Sequence, residues 1–202
     1  VLFDSPERRS DVMSDPVLAG SGRFAPELVP FGVFSPMGQL RMPGLLRRMK
    51  IDVFHSPNYM IPLLAFPRGG KGRIASVVTI HDVIPMIFPD HAPKSKKSRL
   101  YPLYRPLMVE IGRRANIIIA DSDASRADVI KHLQIPPERQ KSVRRVYCGV
   151  ARPGIRHDTS RRSPVAARTV LYVGRSDPYK NCIGLIRAFD QVRTQCPFPV
   201  TL

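Results

Sequence analysis

Arg175 and Lys180 lie in the stretch Val170-Leu-Tyr-Val-Gly-Arg-Ser-Asp-Pro-Tyr-Lys-Asn181, and together they could hold a diphosphate. Arg175 offers a planar fork that matches phosphate oxygens, and Lys180 a mobile point charge. The elements around them must aim both at one place. Val170 to Val173 reads as a buried strand that stops at Gly174, which lets backbone approach a ligand and take dihedrals closed to other residues. Ile183, Leu185, Ile186, Phe189 and Val192 recur at helical spacing, so a helix follows and its positive end faces the turn. The glycine spacing fits neither a Walker loop nor the dinucleotide fingerprint, and no Ser or Thr follows Lys180 to hold magnesium. The competing reading is a solvated Arg and Lys on an ordinary strand-to-helix loop.

A second candidate is His81-Asp82, at the end of Ile74-Ala-Ser-Val-Val-Thr-Ile80, the clearest β-branched run in the chain. Open α/β sheets bind ligands at that carboxyl edge. The bland alternative is a strand-end histidine with a local hydrogen bond. Ser122, after the apolar run Asn116 to Ala120, reads as the N-cap of a helix through His132, with Ser125 three residues on.

Behind these positions stands a chain of 202 residues, long enough for a real core. It is 43% hydrophobic and has no run near the roughly 18 apolar residues of a membrane span. Thirty-two Lys and Arg oppose 16 acids, a net charge of +16 that attracts anions: nucleic acid, anionic lipid or phosphorylated small molecules. No nucleic-acid recognition signature accompanies the charge, so that class ranks last. Cys148, Cys182 and Cys196 form neither an even disulfide set nor a metal pair, which suits a reducing compartment, and we expect no metal site.

In chain order, residues 1 to 27 read as a strand remnant and a loop, and Leu40 to Lys50 as a short amphipathic helix leading into the strand Ile51 to His55. Lys94 to Arg114 mixes seven cations with one acid, Glu110, around apolar residues at helical spacing, with Pro102 and Pro106 expected to kink or delay the helix. It reads as a helix packed on the sheet or, alternatively, as a basic segment lying on anionic lipid. Val143 to Gly149 is a further strand. Four strands with intervening helices imply a doubly wound, Rossmann-like α/β domain over 1–150, a polar linker at 151–168, and at 169–202 the opening strand-helix unit of a second such domain. Val1 is not Met and Phe198 to Leu202 looks like a strand without its turn, so both ends read as cut.

Asp52-Val-Phe-His-Ser-Pro57, Val78-Thr-Ile-His-Asp-Val-Ile-Pro85, the Ser122 helix start, Gly149-Val150 and the Gly174-Arg175 to Lys180-Asn181 turn occur in an order that resembles the family-four retaining glycosyltransferases, of GT-B architecture, over residues 28 to 202. Cys148 stands where that family usually has Asn, which puts a turn contact in doubt. The resemblance implies transfer of a hexosyl or mannosyl group from a nucleotide-diphosphate sugar to a glycan or lipid-linked acceptor hydroxyl, with retention. Gly174, Arg175 and Lys180 would hold the donor diphosphate, and His81 would be the catalytic-cleft residue on the opposite wall. Asp82, Ser122 and Asn181 would line the cleft, with no cofactor beyond the donor. The cysteine usage and the basic Lys94 to Arg114 segment point to a cytoplasmic protein, with the inner face of the cell membrane as the surface it would lie on. The family's Gly-rich turn in the first domain is not evident in residues 1 to 27, and its later acidic pair would fall beyond Leu202, so the chain alone is expected to be inactive. The alternative is a non-catalytic protein of the same fold that associates with anionic membrane or another polyanion.

Overall fold

The computed structural model describes residues 1–89, 101–149, 168–174 and 176–202. Two compact units divide it, one of Val1–Val83 with Pro102–Tyr147 and one of Ile84–Tyr101 with Cys148–Leu202.

The first unit opens with β1 (Leu2–Phe3), α1 (Pro6–Met13), α2 (Pro16–Ala19) and β2 (Glu27–Leu28), β1 and β2 pairing in parallel. The expected loop over residues 1 to 27 is therefore corrected to two short helices. Their signals are purely local: Ser5 and Asp15 cap them, with Pro6 and Pro16 at the first helical positions. Neither buries a side chain, so no periodicity betrays them.

Next comes α3 (Pro36–Arg48), starting four residues before the expected Leu40 because Ser35 caps it and Pro36 fits its first turn. Gly38, Met42 and Leu46 face inward. Gln39 ties the helix down, donating to the carbonyls of Val33 and Ile61 and accepting from the Leu63 amide. A Cβ at Gly38 would lie 2.1 Å from the Gly32 carbonyl oxygen, which is backbone and cannot swing aside. Gly38→Ala should therefore destabilise the unit by about 2–3 kcal/mol despite the better helix propensity of Ala, a loss readable in the urea midpoint.

The central sheet is β3 (Val53–Ser56), β4 (Ala75–Thr79), β5 (Ile117–Ala120) and β6 (Val143–Arg145), all parallel and adjacent in sequence order. These are the four strands expected from the sequence, except that the last stops at Arg145 and does not run on to Gly149. The β3–β4 connection is built from 3₁₀ turns at Leu63–Ala65 and Arg68–Gly70. Chain order then gives α4 (Ile84–Ile87), α5 (Tyr101–Arg114) and, between β5 and β6, α6 (Asp123–His132). Pro102 falls in the first turn of α5, where its missing N–H costs nothing, and Pro106 is accommodated inside. Residues 94–100 of the expected basic segment lie outside the described residues. Val78, Ile118, Met108, Ile111, Val129 and Val143 fill the core, each at most 1% exposed.

Ser76 is fully buried on β4 and still satisfied: its amide and hydroxyl reach Asn116 Oδ1 at 2.8 and 3.1 Å. Glu110 on α5 receives Arg68 (2.7 Å), Arg113 (3.0 Å) and Arg114 (3.2 Å). The hydrogen bond from Arg68 does most to bring its pKa down to about 2, desolvation opposes it, and the hydrogen bonds from Arg113 and Arg114 add to the lowering. A depressed carboxylate stabilises the fold fully above its unfolded value of about 4.5 and loses that contribution as pH falls toward 2. Arg68 is 63% exposed, so screening cuts the gain. Glu110→Gln should cost about 1–2 kcal/mol at pH 6 and almost nothing at pH 2, read from urea midpoints at the two pH values.

The second unit contains α4 and a small parallel pair, β7 (Arg168–Thr169) and β8 (Val200–Thr201), with α7 (Cys182–Gln195) between them in sequence. The helix follows the expected periodicity. The expected buried strand from Val170 to Val173 does not form: those residues are outside any strand, with Leu171 81% and Val173 84% exposed. The pairing of β7 with β8 reaches only the Val170 amide, bonded to the Thr201 carbonyl at 2.8 Å. The proposed linker, but for Arg168 in β7, lies outside the described residues.

Candidate functional site

Three adjacent strand ends meet at His81. Thr79 pairs with Ile119 in the β4–β5 register, which brings residue 81 opposite residue 121. His81 Nδ1 lies 3.2 Å from Asp121 Oδ2, and its Nε2 3.2 Å from the Pro57 carbonyl oxygen just past β3. Whichever nitrogen carries a hydrogen finds an acceptor, and the ring is held at the carboxyl edge of the sheet with its side chain 57% exposed. The His81 carbonyl accepts a 2.7 Å bond from the Ser125 hydroxyl, while the Ser122 hydroxyl accepts from the Ser125 amide at 3.0 Å. The turn after β4 is thus fastened to the first turn of α6, whose positive end faces this edge.

Ser122 caps α6 through that bond. Asp82 follows His81 on the exposed side of the edge. His55, at the end of β3, contacts Thr79 Oγ1 through Nε2 at 3.1 Å. Beside β3 opens a cleft of about 680 Å³, lined by apolar residues such as Val29, Phe31 and Val53 and by polar Asp4, Arg8 and Asn58. Asp121 was not singled out in the sequence. Its position at the end of the strand after His81's was visible, but the register that joins them was not.

The other candidates belong to the second unit. Lys180 is exposed at the end of a 3₁₀ turn, Pro178–Lys180, immediately before α7. Asn181 adopts a left-handed φ of 52° and caps α7, its Oδ1 accepting from the Gly184 amide at 3.2 Å. A side chain at Gly184 would collide with Asn181, so the two residues form one tight entry to the helix. Gly174 does not take the positive φ expected of it; its room is limited instead by the Tyr172 hydroxyl, 2.6 Å from where a Cβ would sit. Arg175 lies outside the described residues. Lys180 and Asn181 are brought together at one helix entry, and His81, Asp82 and Ser122 at one sheet edge.

The model of Glycosyltransferase Family 4 matches residues 3–152, and the chain belongs to that family. It is 25% identical over 176 residues to O-antigen chain mannosyltransferase B of Escherichia coli, an alignment covering 80% of this chain and 41% of the relative. The chain therefore spans about two fifths of that relative's length.

Proposed function

We propose that the protein transfers a sugar, of the hexosyl or mannosyl kind, from a nucleotide-diphosphate donor to an acceptor hydroxyl with retention of configuration. The observation that carries the reading is the family match on a sheet whose carboxyl edge presents His81. The mannosyltransferase relative supports the sugar class. As the glycosidic bond stretches, negative charge gathers on the departing diphosphate, and Lys180 with Arg175 would stabilise it electrostatically, with no metal or other cofactor required. The acceptor hydroxyl enters on the leaving-group side and the phosphate takes its proton.

Asp121 and the Pro57 carbonyl keep His81 in place, so its exposed ring edge forms a fixed wall for the donor sugar. Asp82 lies beside it. Ser122 is spent on its cap and acts by holding the turn. The cleft beside β3, apolar with a few polar groups, suits a glycan or lipid-linked acceptor. In the full-length protein, His81→Ala should lower kcat/KM for the donor about tenfold or more and leave nucleoside diphosphate affinity nearly unchanged, measured by steady-state transfer and calorimetry. Unchanged transfer by the folded variant would remove His81 from the site.

A further inference from the structure

We propose that a groove at the amino-terminal edge of the central sheet binds a small amphiphilic anion, a molecule with a compact apolar body and one carboxylate, phosphate or sulfonate head. The groove lies wholly in the first unit, between the end of α3, the Leu63–Ala65 turn and the approach to β4, and holds about 500 Å³. A space of that size fits a small molecule. Ile51 and Ile74 line it just before β3 and β4, so it sits at the opposite edge of the sheet from His81.

The groove is apolar at its floor and cationic at its rim. Leu46 and Ile74 are 1% and 7% exposed, so the apolar surface is recessed and suits an inserted body better than a flat partner. No acid lines it, while Arg47, Lys50 and Arg73 stand exposed around it. The side chains of these three make no hydrogen bond or ion pair among the described residues, so the fold does not use their charge. Arg114, also in the lining, is employed differently. It donates to the Leu63 and Phe66 carbonyls at 3.0 and 2.8 Å and pairs with Glu110 at 3.2 Å, which fixes the wall. Gln39 accepts from the Leu63 amide at 2.9 Å and ties the turn to α3. The groove is therefore preformed, and a ligand has little to order.

Lys50 adds an observation independent of the cavity. It follows Met49, the C-cap of α3, and takes a left-handed φ of 53°. Glycine is the usual residue at such a position, because a side chain is disfavoured at positive φ. A lysine kept there costs stability and places a cation at the rim, the kind of local strain found at binding positions. Three cations around one apolar cavity are complementary to an anionic head, and the recessed floor selects an apolar body over free phosphate. The site is independent of the sugar-transfer reading, because none of the residues proposed for that reaction lines it.

The test uses the full-length protein with methyl-labelled Ile, Leu and Val and, as probe, anilinonaphthalenesulfonate, an aromatic body with one anionic head. NMR should show the methyls of Leu46, Ile51, Leu63 and Ile74 shifting together and saturating at one probe per protein, and fluorescence titration gives the affinity. Phenylnaphthylamine, the same body without the sulfonate, should bind about tenfold or more weakly. Arg47→Gln with Arg73→Gln should weaken probe binding about tenfold. An equal charge loss elsewhere, Arg9→Gln with Arg187→Gln, should cost less than about twofold. Lys50→Gly should weaken binding about threefold while the urea midpoint stays level or rises, since glycine relieves the left-handed position. That variant separates loss of the cation from loss of the fold. The proposal is overturned if no saturable binding occurs, if the shifts fall outside the groove, or if phenylnaphthylamine binds as tightly as the sulfonate. It is equally overturned if the control pair weakens binding as much as the groove pair, or if hexaglutamate, which has no apolar body, displaces the probe at equal concentration.

Discussion

Replacing Lys180 by Ala in the full-length protein is expected to lower turnover about ten- to a hundredfold, with a smaller change in donor affinity. The reasoning is that charge on the diphosphate grows as the bond breaks, so a cation beside it is worth more in the transition state than in the bound ground state. A charge-assisted contact of that kind contributes about 1.5 to 3 kcal/mol. Lys180 stands at the entry to α7, fixed in the backbone by the Asn181 cap, and its side chain is exposed and so able to reach a ligand. Arg175→Lys should be poorly tolerated as well, because an ammonium keeps the charge and loses the fork. Steady-state transfer with a panel of nucleotide sugars decides the matter. If folded Lys180→Ala and Arg175→Ala both keep near-parental turnover, the two are solvated loop cations and the diphosphate assignment fails.

The second large effect concerns order within the 202-residue chain. Amides from Thr169 to Leu202 should exchange about three orders of magnitude faster than those of β4. The α7 helix buries no side chain, its Ile183 is 66% exposed, and β7 and β8 pair over two residues each. Such a unit lacks the apolar area to offset chain entropy. By contrast, β4 lies between two strands, with Ser76 and Val78 fully buried. Hydrogen exchange followed by mass spectrometry reads both segments at once. Equal protection in a monomer would mean that the second unit is docked and stabilised by the first, contrary to the domain division adopted from the sequence.

Of the four sheet strands, β4 and β5 were legible from local composition, as β-branched runs that parallel burial makes continuous, whereas β3 and β6 each carry one β-branched residue, Val53 and Val143. Ser122 as a helix cap was legible for the same local reason. The helices at Pro6 and Pro16 leave no apolar periodicity in the sequence, because neither buries a side chain. Val170 to Val173 failed in the opposite sense: the residues have strand propensity, but propensity yields a strand only where a neighbour pairs with it, and β8 pairs only as far as Thr169, beyond which a single amide bond reaches Val170. Of the site, His81 could be picked by its place at a strand end. Its partners Asp121 and Pro57 could not, since they lie 40 and 24 residues away and depend on strand register.

The central claim is retaining transfer from a nucleotide sugar, and its most direct test is NMR of the full-length protein with nucleoside-diphosphate sugars labelled at the anomeric carbon, supplied with a lipid and glycan extract as acceptor. The account predicts that one donor is consumed, that nucleoside diphosphate appears in step with it, and that the new glycoside has the donor's anomeric configuration. Consumption of no donor, or a product of inverted configuration, would contradict it.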